Sequence, residues 1–271
     1  IVKVCQENKI MLVPLVNLLG HQSWASEPGA LIKNYPQFDE TPWVKFPQEY
    51  KWPNADSLYC KSYCPLHPDV HRIVFDLVDE ITDVCETDHF HAGMDEVFYI
   101  GSTQCPRCSG KDRSELFANE VNLISAHLEA RNKRLWIWGD RLIDARETKL
   151  GIWEASDNDT WRSIDLINKN VVINDWHYVN TPNTAEVFAR KGFDVMICPW
   201  NRPEVGRNHV LNYRSFKEFS RKRYSRHYRG VMQTVWSGPE PFIDVLQGKA
   251  ENKGKGDVVG CFKAVFDRWE D

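Results

Sequence analysis

The feature that most constrains this chain is an alternation: six short, nearly continuous apolar runs separated by stretches with helical periodicity. The runs are Ile10 to Asn17, Phe90 to Met94, Leu135 to Asp140, Val171 to Tyr178, Asp194 to Trp200 and Val231 to Gly238. Between them, Val70, Ile73, Val74, Leu77, Val78 and Ile81 form one stripe of a helix expected to span about nineteen residues, with Pro68 near its first turn. Phe117, Val121, Ile124 and Leu128 share a face of a second, between Glu115 and Ala130. Strands that are apolar on both faces and alternate with helices are parallel strands covered on both sides. Six such units without a glycine-rich phosphate loop predict a (β/α)8 TIM-type barrel that is incomplete, its first two strands missing. A doubly wound open sheet is the alternative, but neither GxGxxG nor GxxxxGK[ST] occurs.

With 271 residues, 42% of them hydrophobic, the chain fits one large domain over 1–271 with a long loop insertion at 24–66. The opening IVKVCQENK reads as the end of a helix and Ile1 is not a methionine, so a fragment is expected and the compartment stays open, with a lean to the periplasm or outside the cell. Val258 to Trp269 reads as a closing helix. Net charge is −4 and the one basic cluster, Arg221 to Arg229, reads as a solvated helix end, so no nucleic-acid partner is expected. No apolar run approaches the ~20 residues of a membrane span.

In a barrel, ligand chemistry gathers at the carboxyl ends of the strands. There the chain carries His21, then Asp95 and Glu96, then Trp138 and Asp140, then Tyr178, Trp200 and Trp236. Neighbouring strand residues point to opposite faces, so Asp95 and Glu96 reach one pocket only where the strand ends and the chain bends, which Gly93 permits. Two carboxylates of different reach suit acid chemistry, the shorter orienting and the longer delivering a proton. Period two sets Trp138 and Asp140 on the same face, toward the mouth. Eleven tryptophans make flat aromatic walls available, which sugar rings stack on. Trp138, Trp153 and Trp236 read as pocket; Trp24, Trp43, Trp161 and Trp176 read as core.

His91 to Glu96, HAGMDE, resembles the H-x-G-x-D-E signature of glycoside hydrolase family 20, the β-N-acetylhexosaminidases. LVPLVNLLGHQ resembles that family's strand ending in Gly-His, WIWGD its tryptophan-acid strand end, Trp153 its next-strand tryptophan and TVWSG its last-strand tryptophan. The resemblance implies a retaining glycosidase that removes terminal non-reducing β-linked N-acetylhexosamine from glycans or amino-sugar oligosaccharides. The substrate's own 2-acetamido carbonyl attacks the anomeric carbon, with no cofactor. It implies that Asp95 orients the acetamide, that Glu96 is general acid then base, that His21 bonds near the acid, and that His91 supports the strand. Trp138, Trp153 and Trp236 would wall the acetamide pocket beside Asp140, and Tyr178 would steady the carbonyl. Met94 replaces a usual glycine, Asn180 a usual aspartate and Gly238 a usual glutamate. The family's sugar-gripping arginine would lie on the missing strands, so the chain is not expected to be a complete enzyme by itself.

The stretch from Trp24 to Cys64 is long for a barrel loop and rich in aromatics, among them Trp43, Phe46, Tyr50 and Trp52, so it is expected to overhang the mouth. Cys60 and Cys64 lie within it, and Cys105 and Cys108 lie in the loop after Glu96. The spacing suggests a structural zinc on these four, with disulfides or unlinked thiols as alternatives. Cys5, Cys85, Cys198 and Cys261 read as core residues. Two other functions compete: a catalytically inactive carbohydrate-binding relative, and an amidohydrolase-type metal enzyme using His89 and His91 as an HxH pair.

Overall fold

The computed structural model describes residues 1–51, 60–253 and 256–267. The chain forms two compact units, Ile1–Val171 and Val172–Asp271. The first carries the parallel strands β1 (Leu15–Leu18), β4 (His89–Gly93) and β5 (Arg134–Trp138), with β4 in the middle, and a small hairpin of β2 (Ser23–Trp24) and β3 (Glu27–Pro28). The second carries β6 (Val172–Trp176), β7 (Asp194–Cys198) and β8 (Tyr228–Val231), parallel, with β7 in the middle.

The strands are shorter than the apolar runs that announced them, and the last run is displaced. β8 begins at Tyr228 and ends at Val231, so most of Val231 to Gly238 is the segment that leaves the strand. Apolar character continues past a strand's end where the following chain is still packed, so hydropathy alone overshoots. The helix expected to run about nineteen residues is Val70–Val84, 15 residues, burying Val70, Val74 and Val78. A helix Val2–Glu7 opens the chain, and Val258–Phe266 closes the described part, with Trp269 outside it. Helix Arg113–Glu129 starts at Asp112, whose carboxylate accepts from the Ser114 and Glu115 amides and so satisfies orphan donors of the first turn. Its buried face includes Leu116, Phe117, Val121, Ile124 and Leu128. In the second unit helix Pro203–Phe219 lies so close to Val258–Phe266 that a Cβ on Gly206 would meet Cys261 Sγ at 2.8 Å.

Of the stretch 24–66, the described residues 24–51 and 60–66 are built rather than open. After the hairpin come a helix Ala30–Asn34 and a 3-10 turn Pro36–Phe38, and residues 38–40 run beside 62–64. Cys64 N–H donates to Phe38 O at 2.6 Å and Glu40 N–H to Ser62 O at 3.0 Å. Tyr63 O–H donates to buried Glu120 at 2.6 Å, tying the segment to helix Arg113–Glu129. Trp52 lies outside the described residues. Trp24, expected in the core, is 65% exposed, because the two-residue strand that carries it has only one covered face. Among the described residues no helix is long and apolar enough to cross a membrane.

Candidate active site

Strand β4 ends at Gly93, and from there the backbone does what ordinary L-residues resist. Gly93 (φ +67°), Met94 (+69°) and Glu96 (+49°) all sit in the left-handed region. Across from them Leu19 (+60°) and His21 (+53°) do the same at the end of β1. Non-glycine residues held there cost about 1–3 kcal/mol each and persist only where surroundings enforce them, a pattern typical of functional sites. Close approach enforces them here: a Cβ on Gly93 would fall 2.2 Å from Asn17 Oδ1, and one on Gly20 would fall 2.7 Å from the Asp95 carbonyl oxygen. The two strand ends thus converge with no room for side chains at either glycine.

That convergence brings His21 between the two acids. Its Nε2 lies 3.1 Å from Asp95 Oδ2 and 3.3 Å from Glu96 Oε2. All three side chains are only 10–14% exposed, so neither acid faces bulk solvent. Burial works against charge on His21, but the Asp95 carboxylate and the contacts to both acids outweigh it, and its pKa is pushed up to about 12. The imidazolium therefore persists at neutral pH. Asp95 Oδ1 is buried with no partner among the described residues.

Beneath the pair lies a second charged layer. Asp140 Oδ2 accepts from the Glu96 amide at 2.9 Å and from Arg141 Nε at 2.7 Å. Burial lifts the Asp140 pKa to about 6, against the opposing pull of Arg141. Arg141 is itself fully buried, donating also to the carbonyls of Ile152, Trp153 and Ala155. The sequence set Asp140 toward the mouth; it lies beside the acids but is buried, with one oxygen committed to holding the Glu96 backbone. Arg141 escaped sequence reading; its one signal is its place directly after the Trp138-Gly139-Asp140 strand end.

His91 is buried at 3% exposure, its Nδ1 accepting from the Gly93 amide at 3.0 Å. Burial drives its pKa down to about 3, so it stays neutral. It leans on Trp138, ring centroids 4.7 Å apart, and Trp138 is itself 4% exposed. Trp153, expected at a strand end, sits instead in the short helix Gly151–Glu154, edge-on to Phe98 at 5.2 Å. Gly151 (φ +79°), just behind Lys149 (+59°), turns the chain out of any extended path there.

In the second unit Tyr178 lies against Trp176 (4.9 Å) and Trp200 (5.3 Å), and its hydroxyl accepts from Trp236 Nε1 at 2.8 Å. Trp236 is 57% exposed. Trp200 and Trp236 also line a cleft of about 560 Å³ with Ser237, Glu240 and Phe242. Asp175 is buried and spent on His177 (3.1 Å) and Thr184 (2.7 Å), so it does not stand in for the missing aspartate at Asn180.

The four-cysteine set does not assemble. Cys64, Cys105 and Cys108 converge, but the fourth group beside them is Glu40, and Cys60 lies apart with its Sγ donating to the Glu96 carbonyl at 3.4 Å. Three residues of aperiodic chain separate Cys60 from Cys64 far enough to point them to different neighbours. Burial pushes the Cys60 thiol up to about 11, so it is a neutral donor. His21, Cys60 and Glu96 do lie close enough to share an ion, but here their atoms are engaged with one another. Neither His89 nor His91 belongs to any such group among the described residues, and His89 Nδ1 accepts from Trp136 Nε1 at 3.0 Å.

The family model described as "Glycosyl hydrolase family 20, catalytic domain" matches residues 1–238. Among solved structures, the Flavobacterium johnsoniae chitobiase is similar over 98% of this chain and 40% of its own, with TM-score 0.63 and 18% identity. An inactive mutant of the Vibrio harveyi exo β-N-acetylglucosaminidase is similar over 97% and 40%, with TM-score 0.61 and 16% identity. Dispersin B is similar over 100% and 75%, with TM-score 0.51 and 16% identity. Among curated proteins none matches by sequence. The chain thus spans two fifths of the chitobiase it resembles, and what it shares with these structures is the fold, a (β/α) barrel present in part.

Proposed function

Because this chain belongs to glycosyl hydrolase family 20 through its catalytic domain, we propose that it removes terminal β-linked N-acetylhexosamine with retention, the substrate supplying its own nucleophile. The observation that carries this reading is the unequal use of the Asp95 carboxylate: Oδ2 is held by His21, and Oδ1 is buried without a partner among the described residues. A buried acceptor left open calls for a donor, and the acetamide N–H is one. Bonded to Asp95, the acetamide turns its carbonyl oxygen toward the anomeric carbon, and the carboxylate offsets positive charge as the oxazolinium ring closes. Glu96 gives its proton to the departing glycosidic oxygen as the C–O bond breaks. It then takes one from the water that reopens the ring, so it ends each cycle protonated again. His21 fixes both carboxyls, and Asp140 with Arg141 fixes the Glu96 backbone. Trp138 and Trp153 are assigned to the wall of this centre. In the second unit, Tyr178, Trp200 and Trp236 are assigned to a sugar's apolar face and hydroxyls. The family's chemistry draws on no cofactor.

The test is hydrolysis by the full-length protein of a chromogenic β-N-acetylglucosaminide beside the matching β-glucoside, which lacks the acetamide. Turnover of the first alone, abolished by Glu96→Gln for a poor leaving group, is expected; equal turnover of both would refute substrate assistance. The replacements at Met94, Asn180 and Gly238 favour one second reading, a sugar-binding relative without turnover, which would show binding of N-acetylglucosamine and no hydrolysis.

A further inference from the structure

We propose that Glu40, Cys64, Cys105 and Cys108 form a structural zinc site. Cys64 Sγ lies 3.7 Å from Cys105 Sγ and 3.5 Å from Cys108 Sγ. A tetrahedral zinc with Zn–S near 2.3 Å sets its sulfurs about 3.8 Å apart, so the spacing is that of ligands sharing an ion. A disulfide needs about 2.05 Å and one partner, whereas Cys64 stands nearly equidistant from two. All four ligand atoms lie within 4.8 Å of one another, and all four residues are buried.

Glu40 supplies the independent observation. It is fully buried; Oε1 accepts from the Ser102 amide at 3.0 Å, and Oε2 has no partner among the described residues. A buried carboxylate set among three sulfurs, with the Cys105 thiol turned on it, is costly unless a cation is there to meet it. The sulfurs are prepared as well: the amides of Arg107 and Cys108 face Cys105 Sγ, and that of Leu66 faces Cys64 Sγ. Amides turned on sulfur orient it, as outer partners of metal ligands do. Three thiolates with one carboxylate are a soft, closed set, which suits zinc held for structure and leaves no open position for catalysis. On binding, each thiol releases its proton, three per ion.

The three segments that meet here are 38–40, 60–64 and 102–108. The last two flank the acid pair, since Cys60 touches the Glu96 carbonyl and 102–108 continues the chain that leaves Glu96. The ion would therefore pin one rim of the site without taking part in its chemistry.

The experiment is elemental analysis of the full-length protein purified without added metal or chelator. About one zinc per chain is expected, released in step with titration of three thiols by a mercurial. Cys108→Ser and Glu40→Gln should lower the zinc content at least several-fold, while Cys198→Ser, in the second unit, should keep it. Should the cysteine variants fail to fold, cobalt exchanged into the unaltered protein should show intense thiolate charge-transfer absorption. Iron in place of zinc, a disulfide among the three cysteines, metal content below a tenth of an equivalent, or zinc lost with Cys60→Ser but kept with Cys108→Ser would each overturn the assignment.

Discussion

His21, a cation between two acids, sets the charge of the centre, so its removal should be felt by both. Replacing it with glutamine keeps a donor but loses the charge. Hydrogen bonds to charged groups are worth about 1.5–3 kcal/mol, so turnover of a poor-leaving-group substrate should fall roughly 10- to 100-fold in His21→Gln. An unchanged rate would remove His21 from the machinery. Arg141 is a sharper case, because it is the buried partner of a buried carboxylate. Arg141→Met leaves Asp140 uncompensated, and breaking such a pair costs about 3–5 kcal/mol, read as a lowered urea midpoint. His21, Asp95 and Glu96 were legible because each follows directly on an apolar run and two adjacent acids are a distinctive pair. Arg141 and Glu40 were not, since a single charged residue in sequence carries no sign of whether water or another charge surrounds it.

The turns after β1 and β4 interlock through absent side chains. Gly20 has no room for a methyl, because the atom in the way is the Asp95 carbonyl oxygen, part of the backbone. Gly20→Ala must push the two turns apart, at a cost of about 1–3 kcal/mol for overpacking, and should reduce turnover more than stability because the displaced residues are the acids themselves. A melting temperature and a rate measured on the same preparation separate the two. Hydropathy reported the six strands and their order well, since burial on both faces leaves a plain apolar signature. It misplaced β8, whose apolar run continues past Val231, and put Trp153 on a strand, because the left-handed turns at Lys149 and Gly151 that set Trp153 in a short helix leave no mark in hydropathy. The elements within 24–66 were invisible for a related reason: their bonds run to distant segments, as from Cys64 to Phe38.

Taken over the whole molecule, two histidines shifted in opposite directions bracket the range of stability. His21 is raised to about 12, so its contribution is complete below the ordinary histidine pKa of about 6.5 and declines as pH rises from there toward 12. His91 is depressed to about 3, so its unfolded form takes a proton first and stability drains as pH falls from about 6.5 toward 3. Asp140, raised to about 6, opposes the second trend over a narrower span, because its buried neutral form is favoured as pH falls. Thermal melts should therefore peak near neutrality. In His21→Gln the alkaline decline should flatten, and in His91→Asn the acid one; parallel profiles in all three proteins would contradict both assignments.

Trp236 keeps its indole half in water while its N–H rests on Tyr178. An indole so placed is an optical reporter built into the chain: a pyranose settling over it would strip away water and move its emission to shorter wavelength. The difference spectrum against Trp236→Phe isolates that one fluorophore among eleven, so saccharide arrival can be watched in real time on unlabelled protein, before any bond is cut.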